Sequence, residues 1–189
     1  PQPMTAAPMT LAEKLCARAA GRDAVQPGEI VTAAVDLAMI HDSGGPRRVA
    51  PMLADLGVGV WDPSKIVLVS DHYVPAVDAE SARILELTRQ WAADNGVDAF
   101  HDLQRICHVV LPERGHLTPG MFVVGGDSHS TTGGAFGAFM IGIGATGIQV
   151  IQTIAPIVDS LTVFVRTPQY VLPMKNPKYG PAEAAAYKA

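Results

Sequence analysis

Short apolar runs that end in ionisable residues alternate along this chain with stretches of helical pattern. That alternation limits the fold more than any other feature. Residues 30–39 form one apolar run, rich in β-branched residues and followed by His41-Asp42-Ser43-Gly44-Gly45-Pro46. Residues 66–69 form a second, closed by Ser70-Asp71-His72, and residues 121–124 a third, closed by Gly125-Gly126-Asp127-Ser128-His129. Residues 106–112 are apolar apart from His108 and read as a further strand-like segment, and residues 99–102 as a short extended piece. Between them lie helical patterns at residues 10–20, 47–56 and 78–93. Thr10 can cap the first, which Gly21 stops; Gly57 ends the second; Asn95-Gly96 closes the third. Strands and helices alternating at this spacing predict an α/β domain of three layers, with a mainly parallel sheet flanked by helices.

A chain of 189 residues fits one domain with a core of its own. Its 48% hydrophobic and 17% charged content is that of a packed chain, not a disordered one. The net charge of -4 gives no electrostatic basis for binding nucleic acid or an anionic membrane surface. No apolar stretch is long and unbroken enough to cross a membrane; residues 135–150 come nearest, and glycines interrupt them. The chain does not begin with a basic segment followed by an apolar one, so a cytoplasmic location is expected, and Pro1 in place of an initiator Met points to processing or an incomplete terminus. Cys16 and Cys107 are too few for a disulfide framework and form no Cys-x-x-Cys motif. The expected layout is an extended N-terminus over 1–9, the α/β domain over 10–168 and an arm over 169–189 that is rich in proline. Residues 147–157 read as helical and 161–165 as a strand.

The chemistry concentrates where the strands end. In open α/β sheets ligands bind at the carboxyl ends of the strands, and parallel neighbours present those ends together. Asp71, His72, His108, Asp127, Ser128 and His129 are therefore expected to line one cleft, with His41 near it. An acid beside an imidazole fixes its tautomer and favours its charged form, which suits a general acid. Any one of these histidines alone would be read as a core or loop residue; four at strand ends are harder to explain that way. His101 and His116 sit among charged neighbours and are assigned to the surface. The glycines after Gly133 lack the Lys-Ser/Thr of a phosphate loop. Gly142, Gly144 and Gly147 match G-x-G-x-x-G without its strand-then-acid context, and read as close packing.

The run Gly125 to Gly137, with Asp127-Ser128-His129-Ser130-Thr131-Thr132-Gly133-Gly134, resembles the D-S-H-T element of the aconitase superfamily. Other elements follow the family order: Asp36-Leu37-Ala38-Met39-Ile40-His41-Asp42, Val67-Leu68-Val69-Ser70-Asp71-His72 and Ile106-Cys107-His108 with Leu111-Pro112-Glu113. The nearest branch resembles the large subunit of 3-isopropylmalate dehydratase, and the likeness spans about Thr10 to Pro168. It implies the fold of the family's first domain only, and reversible dehydration of a small hydroxy acid. By the resemblance His41, Ser128 and Ser130 contact substrate. Asp71 and His72 form the pair that protonates the leaving hydroxyl, and His108, Asp127 and His129 complete the catalytic network.

The family carries a [4Fe-4S] cluster, but its three cluster cysteines lie downstream of the matching segment. So do its serine base and the arginines that grip substrate carboxylates. Cys16 and Cys107 do not replace a three-cysteine set, so no iron–sulfur cluster is expected on this chain alone. A mononuclear iron or zinc on His72, His108 and His129 is chemically reasonable. Three readings follow: a piece of a split hydro-lyase or isomerase with a partner subunit, a cluster-independent enzyme using the Asp/His site, or a non-catalytic binding or scaffolding remnant. The expected ligand is a small carboxylic acid, and self-association or a partner subunit is expected to cover apolar surface.

Overall fold

The computed structural model describes residues 8–143. The chain opens with α1 (Leu11–Ala19), started by a capping box in which Thr10 and Glu13 satisfy each other's groups. Then come β1 (Leu37–His41), α2 (Pro46–Asp55), β2 (Ile66–Ser70), α3 (Ala79–Asp94), β3 (Phe100–Asp102), α4 (Cys107–Glu113), β4 (Phe122–Gly125) and β5 (Phe139–Gly142). The strands form one parallel sheet in the order β3-β2-β1-β4-β5. This is the predicted α/β architecture.

Alternation along the strands divides the core into two layers. Leu37 and Met39 of β1, Val67 and Val69 of β2, and Val123 of β4 pack with Cys107, Val110 and Leu111 of α4. Leu68, between two residues of the first layer, turns the other way and meets Trp91, Ala92 and Val97, with Ile40, Leu53 and Phe100 around them. α1 is tied to the sheet through Asp36, which pairs with Arg18 and accepts the Phe122 N–H at 2.7 Å.

Four expectations change. Only Leu37 onward of the run 30–39 is strand; residues 30–36 lead into it, with Asp36 N–H already donating to Phe122 O at 2.9 Å. Residues 107–113 are a helix, not a strand. Cys107, Val110 and Leu111 are the buried positions, at helical spacing, and a seven-residue apolar run does not by itself separate the two cases. His101 and His116, assigned to the surface, are drawn partly inward, His101 from β3. Nε2 of His101 is 2.7 Å from Nε2 of His116, and both rings are half-buried. Ser130, grouped with the substrate contacts, is fully buried, and its hydroxyl donates to the Asp127 carbonyl at 2.7 Å. The helix expected over 147–157, the strand over 161–165, the arm over 169–189 and most of the 1–9 segment lie outside the described residues.

Candidate active site

The order β2-β1-β4 places the ends of three strands side by side. The sheet also reverses direction of growth there, since β2 lies on one side of β1 and β4 on the other. Such a switch point opens a crevice beyond the carboxyl ends of the strands. His41 ends β1, Asp71-His72 follow β2, and Asp127-Ser128-His129 follow β4 by one glycine. The ladder runs slightly past the strands: Asp42 N–H donates to Val69 O at 3.1 Å and Gly126 N–H to Met39 O at 2.8 Å. Both turns are thereby registered to one another.

His41 is 4% exposed. Gly126 O can only accept, so at 3.2 Å the His41 Nε2 is the donor, and Nδ1 lies 3.0 Å from the Ser43 hydroxyl. The His41 ring is thus held at both nitrogens. Burial, and then the neighbouring His72, push its proton affinity below the usual histidine value, against the favourable pull of Gly126, Asp71 and Asp127. Its face stacks on His72, with centroids 4.1 Å apart and planes 13° apart.

His72 is the open member of this pair, its side chain 39% exposed. Its Nδ1 donates to Asp71 Oδ1 at 2.7 Å, and Nε2 stands 3.9 Å from Asp127 Oδ2. The other Asp71 oxygen accepts the Cys107 N–H at 2.6 Å, so the first turn of α4 holds the acid that orients the ring. Asp42 was not among the site residues expected from sequence. It is wholly buried, and its two oxygens accept the backbone N–H groups of His72 and Tyr73 at 3.1 and 2.9 Å. A buried carboxylate next to a strand-end histidine was the sequence signal for it, but which backbone it would hold depends on the β1–β2 pairing.

Asp127 gathers the second group. Its Oδ1 accepts from His108 Nε2 at 2.7 Å, from the His129 N–H at 2.7 Å and from His129 Nδ1 at 3.1 Å. Burial would raise this carboxyl, but the His129 N–H and the two imidazoles outweigh it and hold it at about 2. Ser128 is exposed, 3.2 Å from His129 Nδ1.

The donor atoms therefore fall into two sets, His41, Asp42, Asp71 and His72 in one and His108, Asp127 and His129 in the other. The expected trio His72, His108 and His129 is not one of these sets: His72 belongs to the first, and Asp127 joins the two imidazoles of the second. Asp127, placed between the sets, is the link from His72 to the others. Cys107 lies beneath the site, 1% exposed, and burial together with Asp71 keeps its thiol protonated far above the usual range. His101 and His116 are not part of this cluster.

Residues 13–160 match the model of the aconitase family (aconitate hydratase). Over 144 residues the chain is 47% identical to the probable 3-isopropylmalate dehydratase large subunit of Methanothermobacter thermautotrophicus, covering 76% of this chain and 34% of the relative. It is 47% identical over 148 residues to the probable methanogen homoaconitase large subunit of the same organism, covering 76% of this chain and 35% of the relative. With the 3-isopropylmalate dehydratase large subunit of Aquifex aeolicus it shares 43% over 142 residues, covering 74% of this chain and 33% of the relative. The chain thus spans about a third of the length of the curated relatives it matches. A family match over most of its length, joined to the parallel sheet and its strand-end acids and imidazoles, makes this chain a member of the aconitase family.

Proposed function

We propose that this chain supplies the acid/imidazole part of a hydro-lyase site that acts on a small hydroxy acid, with His72 as the proton donor. One observation carries the reading. His72 is oriented through Nδ1 by a buried acid at 2.7 Å, while its Nε2 makes no hydrogen bond among the described residues and its ring is accessible. That division of labour is what general acid catalysis requires. In dehydration a base removes the carbon-bound proton, the C–O bond breaks as C=C forms, and His72 gives its proton to the departing hydroxide, releasing water. Asp71 and Asp42 fix the ring and its turn, and His41 supports its face. Relatives named as dehydratase and homoaconitase large subunits favour this class of reaction.

Family members usually bind an iron–sulfur cluster. The two cysteines of this chain do not fit one: they are fewer than three, and Cys107 is buried as a thiol. His108, Asp127 and His129 do fit a mononuclear divalent ion, since their donor atoms lie within 4.8 Å of one another and Asp127 stays ionised. When bound there, iron or zinc would supply Lewis acidity toward a substrate hydroxyl. The large-subunit names of the relatives favour a partner subunit that completes the site.

The test is dehydration of isopropylmalate, citramalate and related hydroxy diacids by the chain with Fe²⁺ or Zn²⁺, and with candidate partner subunits, followed by absorbance of the unsaturated product. His72→Gln is expected to lower turnover by about 10²–10⁴-fold while leaving the fold intact. Turnover by that variant at the wild-type rate would remove His72 from the mechanism.

A further inference from the structure

The strand-end cluster poses an electrostatic problem for the hydroxy-acid reading. Asp42, Asp71 and Asp127 bring three carboxylates to one edge, and the imidazoles beside them, His72 on Asp71 and His108 and His129 on Asp127, are already engaged by these acids, so a di- or tricarboxylic acid calls for a further cation. His41 does not offset this, because it is 4% exposed and its two ring nitrogens are occupied by Gly126 O and the Ser43 hydroxyl.

Arg47 is a permanent cation attached to this cluster from two directions. Its Nε donates to Ser43 O at 3.2 Å, and the Ser43 hydroxyl in turn holds His41, the ring beneath His72. Its guanidinium carbon stands 5.6 Å from the centroid of Tyr73, the residue after His72, whose N–H is fixed by Asp42. The side chain is half-buried, and its Nη groups have no hydrogen-bond or carboxylate partner among the described residues. Those two contacts hold the side chain in place, but its charge is not matched by its own helix. Arg47 and Arg48 occupy the first turn of α2, which holds no acidic residue, and a cation there opposes the helix dipole. A planar fork held at Nε and over a ring, with both Nη groups unengaged among the described residues, is prepared for a two-point contact with a carboxylate.

We propose that Arg47 is a substrate-binding residue that grips one carboxylate of the hydroxy acid beside His72. The inference rests on the hydro-lyase reading and adds to it the group that recognises the acid.

The test is a ¹⁵N–¹H NMR titration of the chain with tricarballylate and with succinate, using sulfate as the non-specific anion. Saturable shifts are expected at the amides of Ser43, His72 and Tyr73 with the carboxylates and not with sulfate. Arg47→Gln is expected to weaken binding by about tenfold or more, the loss of a charged hydrogen-bonded contact. Arg47→Lys is expected to fall between, because it keeps charge but loses the fork, and Arg48→Gln to leave the titration unchanged. A wild-type chain without saturable shifts, or Arg47→Gln titrating like wild type with a native spectrum, would overturn the proposal. In either case loss of turnover in His72→Gln would leave the hydro-lyase reading standing, whereas full turnover by His72→Gln would remove that reading whatever Arg47 does.

Discussion

His41 shows how one buried ring sets conditions for its neighbour. Because burial and His72 lower its proton affinity beneath the ordinary 6.5, the unfolded chain takes up a proton here more readily than the folded one. Stability at this position is therefore full above the unfolded value of 6.5 and is lost as pH falls from there through the lower folded value. His116, lowered by its burial and by His101 and Arg114, acts in the same direction. Urea unfolding of His41→Asn across this range should show a shallower loss of stability with acid than the wild type, and the double variant with His116→Asn a shallower one still. An unchanged slope would mean that His41 is not the neutral, buried ring described. Asp127 acts in the same direction at lower pH: its carboxyl, held at about 2, contributes stability above the unfolded value of 3.8 that is lost as pH falls through the folded one.

At the scale of elements, Gly133 and Gly142 serve close packing of strand against turn. A Cβ on Gly142 in β5 would stand 2.6 Å from the Asp127 carbonyl, a backbone atom that cannot swing aside. One on Gly133 would stand 2.7 Å from the Met140 sulfur and 2.8 Å from its Cβ, so β5 presses on this turn there too. Gly142→Ala is therefore expected to destabilise the fold by about 1–3 kcal/mol, as overpacking does, and to disturb the His108–Asp127–His129 set. Gly134→Ala, where nothing lies within 4 Å, should leave stability nearly unchanged. Equal urea midpoints for the two variants would show that β5 does not press on the Asp127 turn. The same turn makes use of Ser130, whose hydroxyl closes on Asp127 O.

For the whole molecule, the apolar surface that the described residues leave open bears on assembly. Ile106, Phe136 and Ile143 are exposed, and Phe136 with Val109 and Pro112 lines an open hollow of about 420 Å³ next to His108. An exposed apolar hollow of this kind is suited to a contact. We infer that a second copy or a partner subunit covers this area. Light scattering at micromolar concentration should show self-association, or a stable complex once a partner subunit is added, and Phe136→Ser should weaken either. A monomer under both conditions would count against the contact. No helix among the described residues is long and apolar enough to cross a membrane.

The sequence by itself determined the alternation of strand and helix, because a buried parallel strand needs a short continuous apolar run and its chain reversals need Gly, Pro and polar residues. Asp71-His72 and Asp127-Ser128-His129 were legible for the same reason, since costly polar groups placed directly after such runs stand out. Local pattern could not distinguish a strand from a helix over 107–113. There the choice was made by packing of Cys107, Val110 and Leu111 under the sheet and by Asp71, a residue 36 positions away, accepting the Cys107 N–H. Nor could it show that Ser130 turns inward, that Asp42 holds the turn of another strand, or that Asp127 rather than His72 joins His108 and His129. Each of these depends on which strands are neighbours and in what register. Those are properties of the assembled sheet, fixed by contacts between residues far apart in the chain.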